Sequence, residues 1–308
     1  MTGGRFLSIG EIMVEMAPAD GGLFAMGFAG DTFNTAWYAR RVLPADWQVG
    51  YFTAIGTDAV SDDMAAFMAR EGIDTAAVRR VPDRTVGLYM IQLKRGERSF
   101  SYWRGQSAAK TLADDTGALG AALAGVDIVH FSGITLAILS APARQAFCAA
   151  LARARAAGSH IAFDTNLRPR LWPGAEAMRD GLMQGAAVAD TVLPSLDEEA
   201  LAFGDATAQD TIARYRAAGA STVAVKNGAE TCHVWSADEG AFSADPPEVA
   251  RIVDSTAAGD SFAAAFLAAR AEGAAVQDAA ARATALAAQV VQRRGALAPE
   301  IFEKGGTS

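Results

Sequence analysis

The sequence predicts an α/β fold: a doubly wound, mostly parallel sheet with a small β-sheet lid. Three observations predict it. Short β-type runs alternate with alanine-rich stretches of helical length, the signature of βαβ units around a parallel sheet. The stretches between runs are long enough for the crossovers that parallel neighbours require. Two segments break this rhythm, with strand-like runs that succeed one another without a helix between them, which marks a small antiparallel excursion. No internal repeat and no linker rich in Pro, Gly or Ser divides the 308 residues, so the chain is read as one α/β domain with lid insertions at 11–28 and 86–104.

Taken in order, core strands are expected at residues 5–9 (RFLSI), 49–53, 126–132, 160–164 (HIAFD), 191–194 and 222–226. Helices are expected at 62–71, 141–157, 175–184 and 209–218. The lid strands are residues 11–17, 86–93 and 98–104, the last two joined by Lys94-Arg95-Gly96-Glu97. The two-residue period places Phe100, Tyr102 and Arg104 on one face and Ser99, Ser101 and Trp103 on the other, with Tyr89 on the face of Tyr102. Near the carboxyl end, Phe262, Ala265, Phe266 and Ala269 recur at helical spacing, so a helix begins near Ala258 and packs one face inward.

Composition narrows the function classes. With 51% hydrophobic and 20% charged residues, the chain is globular. A net charge of -8 argues against a phosphate-backbone binder, and no nucleic-acid partner is expected. Cys148 and Cys232 lack any CxxC spacing and read as buried thiols of a reducing compartment. The amino-terminal MTGGRFLSIGEIMVEM has one Arg and a short apolar run broken by Glu11, so neither a signal peptide nor a membrane association is expected, and the protein is placed in the cytoplasm. His130, His160 and His233 have no metal-ligand spacing; His130 reads as a strand histidine.

The most informative segment is Asp254-Ser255-Thr256-Ala257-Ala258-Gly259-Asp260 before the late helix. Small residues in a first helical turn let an anion approach unpaired backbone N–H groups at the positive end of the helix dipole. Asp260 then stands where a phosphoryl group would be held, as a catalytic carboxylate or as a plain stabiliser of the helix start.

This segment resembles the signature of the ribokinase-like (PfkB) carbohydrate kinases, a Gly-Ala-Gly-Asp turn that forms an anion hole with its Asp as catalytic base; Ala257 stands at the first glycine. Gly30-Asp31-Thr32-Phe33-Asn34 resembles the family's substrate-side glycine element, which implies that Gly30, Asp31 and Asn34 hold sugar hydroxyls; ordinary N-capping is the alternative for Asp31. Gly56-Thr57-Asp58 resembles a family loop and is given a structural role. Pro194-Ser195-Leu196-Asp197-Glu198 falls where the family has Asn-x-x-Glu, implying that Glu198 organises Mg2+ through water and that Ser195 borders the nucleotide. Lys226-Asn227-Gly228 resembles the nucleotide loop, so Lys226 and Gly228 join Ser195, Ala258 and Gly259 as expected ATP contacts. A plain solvated charge is the alternative for Lys226.

Within the family, GLYMIQLKRGERSFSYWRGQSAA, FSGITLAILS and FDTNLRPRLW are most similar to the 2-keto-3-deoxygluconate kinase branch. That resemblance implies that Tyr89, Tyr102, Arg104 and Arg168 meet the sugar acid. Planar arginine donors suit its carboxylate through paired, charge-assisted hydrogen bonds, whereas a neutral sugar would give them no counter-ion. Arg168 or Arg170 as a structural salt-bridge residue is the alternative. The implied reaction transfers the γ-phosphoryl of ATP to the sugar's 6-hydroxyl. Asp260, with a low pKa, takes the proton, and the Ala257, Ala258 and Gly259 turn, with the amides of 258–260, holds the developing charge. A kinase for fructose or another 2-keto sugar acid, and a non-catalytic sugar or nucleotide sensor, are the rival readings. A homodimer or higher homo-oligomer through the lid edges is expected. Monovalent-cation (K+) activation near Asp254 and Thr256 occurs in relatives, and these residues do not decide it.

Overall fold

The computed structural model describes residues 3–94 and 97–303. From the amino terminus, β1 (Arg5–Ile9) leads into the hairpin of β2 (Met13–Pro18) and β3 (Phe24–Ala29), and α1 (Asp31–Val42) returns the chain to β4 (Gln48–Phe52). A short pair, β5 (Ala54–Ile55) and β6 (Arg79–Arg80), flanks α2 (Ala59–Arg70). Then come β7 (Gly87–Lys94), β8 (Glu97–Trp103), α3 (Thr116–Leu123), β9 (Ile128–Ser132), α4 (Gly133–Ile138) and α5 (Ala141–Ala156). After β10 (His160–Asp164) the chain runs through α6 (Ala175–Ala186), β11 (Thr191–Val192), α7 (Leu196–Phe203), α8 (Ala208–Ala217) and β12 (Thr222–Val225). A second hairpin, β13 (Cys232–Ser236) and β14 (Gly240–Ala244), precedes α9 (Ala258–Ala271) and α10 (Val276–Val290).

The main sheet has the order β14-β13-β12-β11-β10-β9-β1-β4. Its strands from β12 to β4 pair in parallel, while β13 and β14 add an antiparallel edge. Strand order reverses at β1, which lies between β4 and β9. In open α/β sheets such a switch point opens a crevice beyond the carboxyl ends of the strands. The strand expected at 191–194 is shorter, ending at Val192, because Leu193 still donates to Phe163 O at 2.8 Å but Pro194 has no N–H to continue.

Helices cover both faces. On one, α1, α2, α9 and α10 pack Trp37, Tyr38, Met64, Phe262, Phe266 and Leu286 over the sheet; on the other, α5, α6 and α8 bury Phe147, Leu151, Leu182 and Tyr215 against Phe131 and Phe163. The one-sided packing expected of α9 is corrected by its burial, since Ser261 to Ala269 are buried without interruption. Alanine is small enough for α1 and α10 to approach from different sides, and a helix apolar all round belongs in the interior.

A separate four-stranded sheet, order β3-β2-β7-β8, comes from the two segments that broke the βα rhythm. Tyr89 pairs directly with Tyr102 across β7 and β8, so both rings stand on one face, centroids 6.0 Å apart. Of the expected connection Lys94-Arg95-Gly96-Glu97, Arg95 and Gly96 lie outside the described residues.

Candidate active site

A cleft of about 1060 Å3 opens where the small sheet faces the carboxyl ends of the main strands. Its floor is built from residues just beyond the strand ends: Glu11 after β1, Ile134 after β9, Asp164, Asn166 and the run from Arg168 to Leu171 at the end of β10, Ser195 and Glu198 after β11, and Lys226 after β12. The small sheet contributes Met13, Tyr89, Ser99, Phe100, Tyr102 and Arg104, and the starts of α1 and α9 close it.

The start of α9 is the chemical centre. Ala257 takes the left-handed conformation, with φ 62° and ψ 11°, and no side chain caps the helix. By contrast Asp58, Ser140 and Thr207 cap α2, α5 and α8 through side-chain oxygens. The Ala258 amide donates to Ser255 O at 3.3 Å. The Gly259 and Asp260 amides have no acceptor among the described residues and remain available. A Cβ on Gly259 would lie 3.4 Å from Lys226 Nζ, so backbone and ammonium share one small cradle.

Asp260 borders the cleft, and Asn34 Nδ2 donates to its Oδ2 at 2.8 Å. Burial, then the Asp31 carboxylate, push its pKa well above the ordinary value; Asp164 adds to this while the Asn34 hydrogen bond and Lys226 oppose it. The low pKa expected from the helix N-terminus is therefore overturned: desolvation and two neighbouring carboxylates outweigh it.

Asp31 does not cap α1; it accepts from Asn166 Nδ2 at 2.8 Å and lines the cleft. Gly30 is where backbones touch, because a Cβ there would fall 2.2 Å from Glu11 O. Lys226 donates to both oxygens of buried Asp164, each at 2.9 Å. Arg168 and Glu198, assigned to opposite ends of the site, form an ion pair at 2.9 Å, and Glu198 also accepts from Leu167 N at 3.0 Å. Ser195 is the N-cap residue of α7 and makes no side-chain capping bond; its backbone bridges to Lys226. Gly228, with φ 58°, and Ala258 are not among the residues lining the cleft. Tyr89 is buried and donates its hydroxyl to Glu15, while Tyr102 is exposed. Arg104 donates to Glu11.

Three contributors went unassigned from sequence: Asp164, Asn166 and Glu11. Asp-x-Asn directly after an apolar strand was the available signal for the first two, since a strand's carboxyl end is where ligands sit. Asn166 has φ 31° and, with Ala257, is one of two non-glycine residues with positive φ among the described residues; both line the cleft. Asp254 holds the loop before α9, accepting from Thr256 N at 3.1 Å and Gly295 N at 2.8 Å. The described residues contain no group of three His, Cys, Asp or Glu arranged to hold a metal. Mg2+ carried mainly by phosphates and water needs no such cage.

A doubly wound sheet with this turn, cradle and facing carboxylate defines a sugar-kinase architecture, and the chain belongs to the pfkB family of carbohydrate kinases, whose family model matches residues 6–301. Among curated proteins it is 41% identical over 299 residues to the 2-dehydro-3-deoxygluconokinase of Escherichia coli strain K12, covering 94% of this chain and 96% of that one. It is 37% identical over 305 residues to the enzyme of the same name from Dickeya dadantii, covering 97% and 98%. Among solved structures, fructokinase with bound ATP from Xylella fastidiosa superposes with a TM-score of 0.82 at 25% identity, covering 95% of this chain and 93% of that chain.

Proposed function

We propose that the protein transfers the γ-phosphoryl group of ATP to the 6-hydroxyl of 2-keto-3-deoxygluconate, giving 2-keto-3-deoxy-6-phosphogluconate and ADP. The observation that carries this reading is the placement of Asp260 beside two unpaired helix amides, facing a cleft whose opposite wall presents Arg104. The names and the 37–41% identity of the relatives support the substrate. Asp260 accepts the hydroxyl proton as the alcohol oxygen bonds to phosphorus and the bond to the ADP oxygen breaks. Because the transition state is loose, with charge spread on the transferred group, the Gly259 and Asp260 amides and Lys226 supply most of the stabilisation. Glu198, acting through water, would hold a Mg2+ ion, which would supply positive charge against the phosphates.

Asn34, Asp31 and Tyr102 position the sugar hydroxyls, and Arg104 and Arg168 take the carboxylate. The small sheet acts as a lid that excludes water and restrains wasteful ATP hydrolysis. The open edges of β3 and β8 pair with a second copy. A coupled ADP-release assay over a panel of sugar acids and neutral sugars tests the substrate. Asp260→Ala is expected to bind sugar acid while turnover falls by roughly a thousandfold or more, general base and site electrostatics together. Near wild-type turnover would remove the base assignment.

A further inference from the structure

Glu11 is the most buried acidic residue bordering the cleft, at 1% exposure, and neither the sequence pattern nor the family resemblance assigns it a role. It lies between β1 and β2, and its Oε2 accepts from Arg104 Nη2. Its Oε1 and the Arg104 Nε are both buried without a partner. The space they occupy is made by a glycine: a Cβ on Gly87 would lie 2.7 Å from Glu11 Oε1 and 3.2 Å from Arg104 Cβ. Buried polar atoms are nearly always satisfied, so a charged pair satisfied on one edge only calls for a reason.

We propose that Glu11 is a positioning residue that fixes the plane of the Arg104 guanidinium, so that its remaining N–H groups meet the carboxylate of a sugar acid. This rests on the sugar-acid reading of the site. With one Nη2 hydrogen held by Glu11, the other Nη2 hydrogen and the Nη1 pair stay free for a two-point grip on a carboxylate. Selectivity for acid over neutral sugars then belongs to the pair and not to Arg104 alone.

Two effects oppose each other when Glu11 is removed. Losing its charge strengthens the bare attraction of Arg104 for an anion, while losing its acceptor frees the flexible arginine stem. The proposal holds that orientation wins. Steady-state kinetics of Glu11→Ala and Glu11→Gln, varying the sugar acid at saturating ATP and the reverse, with fructose as the neutral comparator, reads the outcome.

Glu11→Ala should raise the sugar-acid KM roughly ten- to a hundredfold, the effect of misaligning a charge-assisted hydrogen bond. Its kcat and its KM for ATP should stay near wild type, and the acid-over-neutral ratio of kcat/KM should fall by the same factor. Glu11→Gln keeps the shape and an acceptor and should recover most of the affinity. An unchanged or lowered sugar-acid KM in Glu11→Ala overturns the proposal. So does a joint loss of kcat, both KM values and melting temperature in both variants, which marks a purely structural pair. Wild-type protein inactive on every sugar acid would instead sink the substrate reading, and this inference with it.

Discussion

Asp260 sits among charges that disagree, and the disagreement sets a pH dependence. Activity requires its ionised form, so turnover is lost as pH falls through its folded-state pKa, which lies above that of an ordinary aspartate. Asp31 raises that pKa and Lys226 lowers it. Asp31→Asn is therefore expected to move the acid limb of kcat/KM to lower pH, read from a pH–rate profile with any loss of sugar affinity scored separately. A limb that stays or moves upward would exclude Asp31 as the perturbing charge. Ala257 yields a second prediction at this scale. Its left-handed φ of 62° costs an L-residue about 1–2 kcal/mol, against about 0.4–1 kcal/mol of extra unfolded-chain freedom for glycine. Ala257→Gly should hold or slightly raise the urea midpoint, whereas β-branched Ala257→Val should lower stability by about 2 kcal/mol or more.

At the scale of elements, the loop after β10 carries Asn166 and Arg168 beyond the strand's last residue, Asp164, and α4 holds it in place. Gly133 begins α4, and a Cβ there would fall 2.0 Å from the Thr165 carbonyl oxygen. Gly133→Ala must displace that loop, at about 1–3 kcal/mol of overpacking, and kcat/KM should fall by roughly tenfold or more because sub-ångström placement is lost. Paired urea titration and kinetics check it; unaltered kinetics would show that the loop's position does not matter. Much of the parallel core was legible, since strands 5–9 and 160–164 fall where the apolar runs placed them. The β13–β14 edge was not anticipated: β13 alternates buried and half-buried positions, and β14 is five residues of Gly, Ala, Phe and Ser with no β-branched side chain to mark a strand. At the site, Asp260, Asn34 and Lys226 were legible through contiguous motifs. The pairings were not, because Asp164 lies 62 positions from Lys226 and Glu11 lies 93 from Arg104, and local patterns carry no pairing information at that range.

For the molecule as a whole, acid sensitivity has an identifiable source in the central strand β9. His130 is fully enclosed, with Nδ1 2.9 Å from Ser8 Oγ and Nε2 without a partner, and burial lowers its pKa from 6.5 to about 4. The folded protein resists that proton while the unfolded chain takes it up readily. The stability is complete above pH 6.5 and is lost as pH falls toward 4, amounting to about 2 kcal/mol between pH 7 and 5. His130→Phe should flatten the fall in urea midpoint over that window, and an equal fall in both proteins would exonerate the histidine. The enclosure of α9 by small side chains has a further consequence for anyone wishing to retarget this catalyst. Enlarging the alanines behind Asp260 would overpack the interior and cost stability, whereas changes at Phe100 and Tyr102, 41% and 52% exposed on the facing wall, would leave the core intact and fall on the choice of acceptor.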